Sequence, residues 1–134
     1  MIECHSIHHI SIVVTDLERA KSFYRDVLGL REIPRPNFDF PGAWFEIGNQ
    51  QLHVIVHPPS QTLRTEGGID SRDGHFAIRV TSYEQTLRHL EKLNVPHKAK
   101  PDSITGWAQI FCCDPDGNII ELNAERETGT IKNG

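Results

Sequence analysis

The chain carries the same short pattern twice. Residues 9–16 (HISIVVTD) and residues 75–82 (HFAIRVTS) align at a constant offset of 66, with His, Ile, Val and Thr identical at four of the eight positions. Each stretch leads into apolar residues spaced by threes and fours, which predicts an amphipathic helix. An internal repeat indicates two copies of one supersecondary unit, so both halves are expected to share one topology.

Start and stop signals bound the two predicted helices. In the first, Asp16 or Thr15 is the expected N-cap, and Gly29 is the expected left-handed end. The second begins at Ser82 and ends at Asn94. Strand-like segments follow each helix, at about 30–34, 43–48 and 51–57 and again at about 97–100, 107–113 and 118–124.

These elements predict an α+β fold of two βαβββ modules that form a curved mixed sheet. We expect one domain over residues 1–134, in which module one spans about 6–57, a linker about 58–73, module two about 74–124 and a polar tail 125–134.

Composition narrows the possible partners and the compartment. Lys and Arg number 14 against 18 Asp and Glu, a net charge of −4 without a basic cluster, which argues against nucleic acid or an anionic membrane as partner. Apolar runs fall short of the about 18 residues of a membrane-spanning helix, and the first residues lack a secretory signal pattern. Three cysteines, with Cys112 and Cys113 adjacent, do not make a secreted disulfide framework. We therefore expect a cytoplasmic protein in which this adjacent pair only packs.

Strand alternation places four potential metal ligands on equivalent faces. Each of four strands has one wholly apolar face and one mixed face. The mixed faces carry His9, His53, His75 and Glu121. We expect helices to cover the apolar faces and these four side chains to line the concavity. Imidazoles with one carboxylate suit Mn, Fe, Co, Ni or Zn, and ligands from separate strands leave positions open for substrate, as in catalytic metal sites.

The residues that carry these patterns resemble the vicinal oxygen chelate superfamily, which includes glyoxalase I, fosfomycin-resistance thiol transferases, extradiol dioxygenases and bleomycin-resistance proteins. The resemblance covers about 6–124 and rests on HISIVVTDL (9–17), FYRDVLGL (23–30), GHFAI (74–78) and DPDGNIIE (114–121). It implies that His9, His75 and Glu121 bind the metal. Glyoxalase I-like members carry a fourth ligand, usually Glu, where this chain has His53.

The resemblance implies bidentate binding of two neighbouring substrate oxygens to the metal. Glu121, the only carboxylate of the four, is then the expected proton carrier. This predicts a lyase or isomerase of glyoxalase type acting on a small molecule. Two alternatives stay open: an extradiol-type dioxygenase, and a non-catalytic small-molecule binding or resistance protein.

Further residues are candidates for contacting the substrate. A Pro/aromatic loop before a strand holds Arg35, Phe38, Phe40 and Trp44, and such loops often cover small-molecule sites; the competing interpretation is that these aromatics fill the core or a dimer contact. His57 and Arg79 share the ligand faces of their strands, although Arg79 could equally pair with a nearby acid. Exposed sheet edges favour a homodimer.

Overall fold

The computed structural model describes residues 1–64 and 68–126. The chain divides into two units, Met1–Arg64 and Thr65–Gly134. The elements of the first unit are β1 (His9–Val14), α1 (Leu17–Lys21), a π-helical segment (Ser22–Val27), β2 (Arg31–Ile33), β3 (Gly42–Ile47) and β4 (Gln50–Val56). The four strands form one mixed sheet of order β1-β4-β3-β2, in which only the β1–β4 pair is parallel.

The second unit repeats this arrangement. Its elements are β5 (His75–Arg79), α2 (Tyr83–Lys92), β6 (His97–Lys100), β7 (Trp107–Cys113) and β8 (Ile119–Glu125). The sheet order is β5-β8-β7-β6, and β5–β8 is its parallel pair. The predicted α+β fold of two βαβββ modules is confirmed. Residues 65–67 of the predicted linker and 127–134 of the predicted tail lie outside the described residues.

The predicted helix ends lie where the sequence signals place them. The Asp16 carboxylate accepts a hydrogen bond from the backbone N–H of Arg19 at 2.9 Å, and the Ser82 hydroxyl accepts one from Gln85 N–H at 3.2 Å. Each such cap contributes about 1 kcal/mol because it satisfies an otherwise unpaired helix donor. Gly29 follows the first helical region with a φ of 74°, a conformation that favours glycine over any L residue.

The first helix differs from the prediction of one continuous α-helix. After α1 the backbone widens, so that the Leu28 N–H donates to the Phe23 carbonyl five residues earlier at 3.0 Å. Phe23 and its neighbour Tyr24 are both buried, at 6% and 0% exposure. An ordinary helix turns consecutive side chains about 100° apart. The wider turn accompanies the burial of both aromatics on the side of the sheet, where Tyr24 meets Phe45.

The apolar face of each sheet forms the core of its unit. In the first unit, β3 and β4 bury Ala43, Phe45, Leu52 and Val54. In the second, this face buries Ala108, Ile110, Cys112, Ile120, Leu122 and Ala124 of β7 and β8 together with Leu90 of α2. The opposite faces carry the polar side chains, and in the second unit they also carry the buried apolar residues Phe111 and Ile119, which pack with Ile69. Within the described ranges, no helix is long and apolar enough to span a membrane.

Candidate functional site

His75 and Glu121 meet on the polar face of the second unit. His75 Nε2 lies 3.3 Å from Glu121 Oε1, because β5 and β8 run side by side with Ala77 opposite Glu121. His75 Nδ1 lies 2.7 Å from the Asp73 carbonyl oxygen, which can only accept, so this nitrogen carries the proton. A neutral His75 therefore turns the lone pair of Nε2 towards a carboxylate oxygen.

The lone pairs of His75 Nε2 and Glu121 Oε1 repel each other at this distance unless a proton or a cation lies between the two atoms. A proton on His75 would meet this condition, and so would a metal ion. Nitrogen and oxygen ligands lie about 2.0–2.2 Å from a zinc ion, so two ligand atoms 3.3 Å apart can both contact one such ion. The donor types and their separation fit a divalent metal.

The other oxygen of Glu121 is held by two amide donors that the sequence reasoning missed. Oε2 accepts hydrogen bonds from Asn123 Nδ2 at 2.7 Å and from Gln109 Nε2 at 3.1 Å. All three side chains are buried, with exposures of 6–8%. Burial raises the pKa of Glu121, but the hydrogen bonds from Asn123 and Gln109, together with the contribution of His75 when it is protonated, outweigh it, so this pKa lies below its ordinary value. The only sequence signal was amide side chains on the mixed face of otherwise apolar strands.

In the first unit, His53 is stacked between two rings. Its ring centroid lies 4.0 Å from that of Trp44 and 4.0 Å from that of His9, with interplanar angles of 3° and 17°. The register explains the contact with Trp44, which lies opposite His53 on β3. His53 Nε2 lies 2.9 Å from the amide oxygen of Gln51, so Nε2 is the protonated nitrogen of this pair.

The environment keeps His53 neutral. Burial lowers its pKa to about 4, and the neighbouring His9, His8 and Arg35 act in the same direction. A neutral imidazole is the form that binds metals. The ring orientation is less favourable, because imidazole lone pairs lie in the ring plane and those of two nearly parallel rings do not converge on one ion. His53 would have to leave its stack with Trp44 and its bond to Gln51 to share a metal with His9.

The structure thus brings the four predicted ligands together as two pairs, His9 with His53 and His75 with Glu121. Among residues 1–64 and 68–126, no cluster of three or more His, Cys, Asp or Glu side chains has the arrangement of a metal site.

The predicted loop residues also contact one another. The Phe38 and Phe40 rings stack with centroids 5.1 Å apart, and the Phe38 centroid lies 6.3 Å from that of Trp44. The guanidinium carbon of Arg35 lies 4.7 Å and 5.0 Å from the Phe38 and Phe40 centroids. His57 is exposed and follows the last residue of β4.

Arg79 contacts an aromatic ring, and Cys112 lies in the core. The Arg79 guanidinium carbon lies 5.5 Å from the Trp107 ring centroid, and Arg79 forms no ion pair with any carboxylate in the described ranges. Cys112 is fully buried. Burial, with Cys113 and Asp114 nearby, raises the pKa of the Cys112 thiol to about 12, so it remains protonated and unreactive near neutral pH.

Comparison with known proteins identifies the family. Residues 6–122 match the profile of the Glyoxalase/Bleomycin resistance protein/Dioxygenase superfamily. The chain belongs to this superfamily. The resemblance inferred from the repeated motifs is confirmed.

Two bacterial proteins are similar to the chain along nearly their whole length. The chain is 31% identical over 130 residues to the uncharacterized protein YaeR of Escherichia coli (strain K12), covering 91% of this chain and 98% of that protein. It is 29% identical over 133 residues to a lactoylglutathione lyase of Salmonella typhimurium, covering 90% and 93%.

Solved structures share the fold. A glyoxalase family protein from Bacillus anthracis matches with a TM-score of 0.79 at 23% identity, covering 94% of this chain and 99% of that one. A mutant fosfomycin resistance protein, FosX, from Listeria monocytogenes matches with a TM-score of 0.69 at 19% identity, covering 98% and 99%. That structure is a complex with Mn(II) and 1S,2S-dihydroxypropylphosphonic acid.

Proposed function

We propose that this chain is a metal-dependent enzyme of the glyoxalase type, a lyase or isomerase acting on a small molecule with vicinal oxygens. One observation carries the proposal: His75 Nε2 and Glu121 Oε1 face each other at 3.3 Å, while His75 Nδ1 is committed to the Asp73 carbonyl. A divalent ion satisfies both atoms at once. The similarity to a lactoylglutathione lyase supports the reaction class.

The proposed ligands are His9, His53, His75 and Glu121, and the proposed ions are Mn, Fe, Co, Ni or Zn. The four contribute unequally. His75 and Glu121 need no rearrangement within their unit, whereas His53 must give up its stack with Trp44 and its contact with Gln51. We therefore expect the removal of His53 to weaken metal binding far less than the removal of His75.

The metal, when bound, supplies a Lewis acid that polarises a substrate oxygen. The remaining work falls to the chain. Gln109 and Asn123 hold Oε2 of Glu121 in a buried position, so proton transfer from and to carbon falls to Oε1, which would have to leave the metal to accept the proton. The side chains proposed to contact substrate are Arg35, Phe38, Phe40, Trp44, His57 and Arg79.

Proton exchange at carbon tests this function. Zn(II)-loaded protein would be incubated in D₂O with a panel of 2-hydroxy ketones, starting from hydroxyacetone, and loss of the C–H signal adjacent to the carbonyl followed by NMR. We expect exchange that depends on the protein and is abolished in Glu121→Gln, a substitution that keeps the size and removes the base. Glu125→Gln is the matched control, because Glu125 is the exposed last residue of the same strand, and it should retain exchange.

Two outcomes would contradict the proposal. Oxygen consumption by the Fe(II)-loaded protein with catechols would assign a ring-cleaving dioxygenase instead. Metal-loaded protein that binds the ketones without any exchange would assign a binding protein.

We also propose that the protein is a cytoplasmic homodimer. In the first unit β1 and β2 lie at the sheet edges, and in the second β5 and β6 do. Strand edges present unpaired backbone groups that a second chain can cover. Light scattering after size exclusion would show twice the 15.2 kDa chain mass; a monomer would contradict the assembly. The free cysteines Cys4, Cys112 and Cys113 accord with a reducing compartment.

A further inference from the structure

Arg35 has no carboxylate partner among the residues that the structure describes. Its Nη2 donates a 3.0 Å hydrogen bond to the Phe40 carbonyl, its Nε is buried without a hydrogen-bond partner, and within residues 1–64 and 68–126 it forms no ion pair. By contrast, Lys21, Arg25 and Arg31 of this unit each form an ion pair, that of Arg31 with Glu46 at 2.8 Å. A partly buried guanidinium with an unsatisfied donor is unusual, because burying a charge is unfavourable unless it is paired.

The backbone leaves room for the guanidinium. A Cβ added to Gly42 would lie 2.8 Å from Arg35 Nη2 and 2.9 Å from its Cζ. A side chain at position 42 would therefore collide with the charged group. The Arg35 head thus lies against the backbone at the start of β3, where its Nη2 also donates to the Phe40 carbonyl.

The surroundings of Arg35 have the composition of a ligand-binding site. The Phe38 and Phe40 rings contact the guanidinium, yet they are 46% and 37% exposed. Exposed rings can shift without opening a packed core. The Phe38 ring also lies 6.3 Å from that of Trp44, and Trp44 stacks on His53 at 4.0 Å, so a chain of ring contacts connects the guanidinium to a proposed metal ligand of the same unit.

We propose that Arg35 binds a carboxylate group of the substrate, with Phe38 and Phe40 contacting the apolar part attached to that group. A carboxylate matches the planar N–H donors of a guanidinium and supplies the charge that this site lacks. The substrate class is then a carboxylate-bearing molecule with vicinal oxygens. This inference rests on the proposed function, because it assigns the substrate of the same site.

Binding of a matched pair of probes tests the inference. Benzoate and its neutral isostere benzamide would be titrated into metal-free protein, so that chelation plays no part. The two tryptophans of the chain are Trp44 and Trp107; in a Trp107→Phe background the remaining indole, 6.3 Å from the Phe38 ring, reports binding by fluorescence. We expect benzoate to bind about tenfold more tightly than benzamide, the difference made by a charge-assisted hydrogen bond.

Substitutions at Arg35 test whether this residue causes the preference for benzoate over benzamide. Arg35→Gln is expected to reduce it to less than about twofold, while Arg31→Gln, which removes an arginine already paired within its unit, is expected to leave it unchanged. Arg35→Lys keeps the charge without the planar donors and should retain an intermediate preference. If Arg35→Gln does not fold, Arg35→Lys decides: an undiminished preference in this variant overturns the inference.

The remaining outcomes separate this inference from the proposed function. Equal affinity for benzoate and benzamide, or an unchanged preference in Arg35→Gln, overturns the carboxylate site even if the protein binds metal. Tighter binding of phenylphosphonate than of benzoate overturns the choice of carboxylate. A benzoate preference in a protein that binds no metal supports the site at Arg35 and overturns the metal-dependent function.

Discussion

Asn123 donates to Glu121, and changing it to Asp would replace that donor by an acceptor of the same size. The contact is short, with 2.7 Å between Asn123 Nδ2 and Glu121 Oε2, and both side chains are buried. Asn123→Asp would therefore place two carboxyl oxygens against each other in metal-free protein. We predict a loss of stability that is large at neutral pH and small under mildly acidic conditions.

The size of the effect depends on which of two protonation states the folded variant adopts: both carboxyl groups ionised, or one of them protonated. Two ionised oxygens at this distance repel each other by about 6 kcal/mol at an effective dielectric constant of about 20. Taking up one proton at pH 7 costs only about 4 kcal/mol, for a carboxyl with an unfolded pKa near 4. The second state is less costly, so the folded variant binds an extra proton. The carboxyl pair at positions 121 and 123 of the folded variant therefore has a raised pKa. The free energy of unfolding is close to that of the unaltered protein at low pH and decreases as pH rises, by about 1.4 kcal/mol for each pH unit.

Urea unfolding of metal-free protein at pH 5 and pH 7 measures this difference. We expect Asn123→Asp to lose about 4 kcal/mol at pH 7 and only about 1 kcal/mol at pH 5. Asn49→Asp is the control, because Asn49 is exposed in the turn between β3 and β4; its effect should stay within about 0.5 kcal/mol. An equal loss at both pH values would refute the reasoning, since it would mean that the new carboxyl group at position 123 is not opposed by an ionised Glu121.

Three further predictions concern single side chains. Burial lowers the pKa of His53 in the folded protein to about 4, from an ordinary value of about 6.5, so the free energy of unfolding decreases as pH falls from 6.5 towards 4. In urea unfolding of metal-free protein, His53→Gln should lose roughly 3 kcal/mol less over this range than the unaltered protein. Asp16→Ala should destabilise the protein by about 1 kcal/mol in thermal denaturation, because the N-cap is lost. Iodoacetamide should modify the exposed Cys4 in folded protein but Cys112 only after unfolding; mass spectrometry of the peptides distinguishes the two, and early modification of Cys112 would contradict its burial.

Much of the fold could be predicted because the repeat carries periodic information. The alternation of apolar residues in both halves identified the buried face of each sheet, and the capping residues Asp16 and Ser82 marked the helix starts. The π-helical segment Ser22–Val27 could not be predicted in this way. Its apolar residues satisfy a helical spacing, and only packing against the sheet reveals that Phe23 and Tyr24 are both buried.

In the candidate site, the sequence predicted which face each side chain lies on but not its orientation or its contacts. Alternation assigned His53 to the face of β4 that also carries Gln51, but it says nothing about ring orientation. The pairing of β1 with β4 sets Ser11 opposite His53, and the stack with Trp44 depends on the rotamers chosen by the packed rings. Gln109 was overlooked for a related reason, since an amide in an apolar strand indicates a polar contact without naming its partner.

The conformation of the loop that holds Arg35 could not be predicted from sequence periodicity. Its residue types suggested a substrate-contacting loop or a core segment with equal force. Only the folded structure shows that the guanidinium contacts Phe38 and Phe40 and forms no ion pair within the described residues. Loop conformations depend on such particular contacts, which is why the sequence left both interpretations open.

Metal content is the measurement that tests the central claim most directly. The protein would be purified without chelators or a histidine tag, and its metals measured by elemental analysis beside His75→Ala and the control His89→Ala, which changes an exposed histidine of α2. The account predicts about one divalent ion per chain in the unaltered protein and in the control, and loss of the ion in His75→Ala. Metal-free protein even after exposure to divalent ions, or full occupancy in His75→Ala, would contradict the assignment of His75 and Glu121 as ligands.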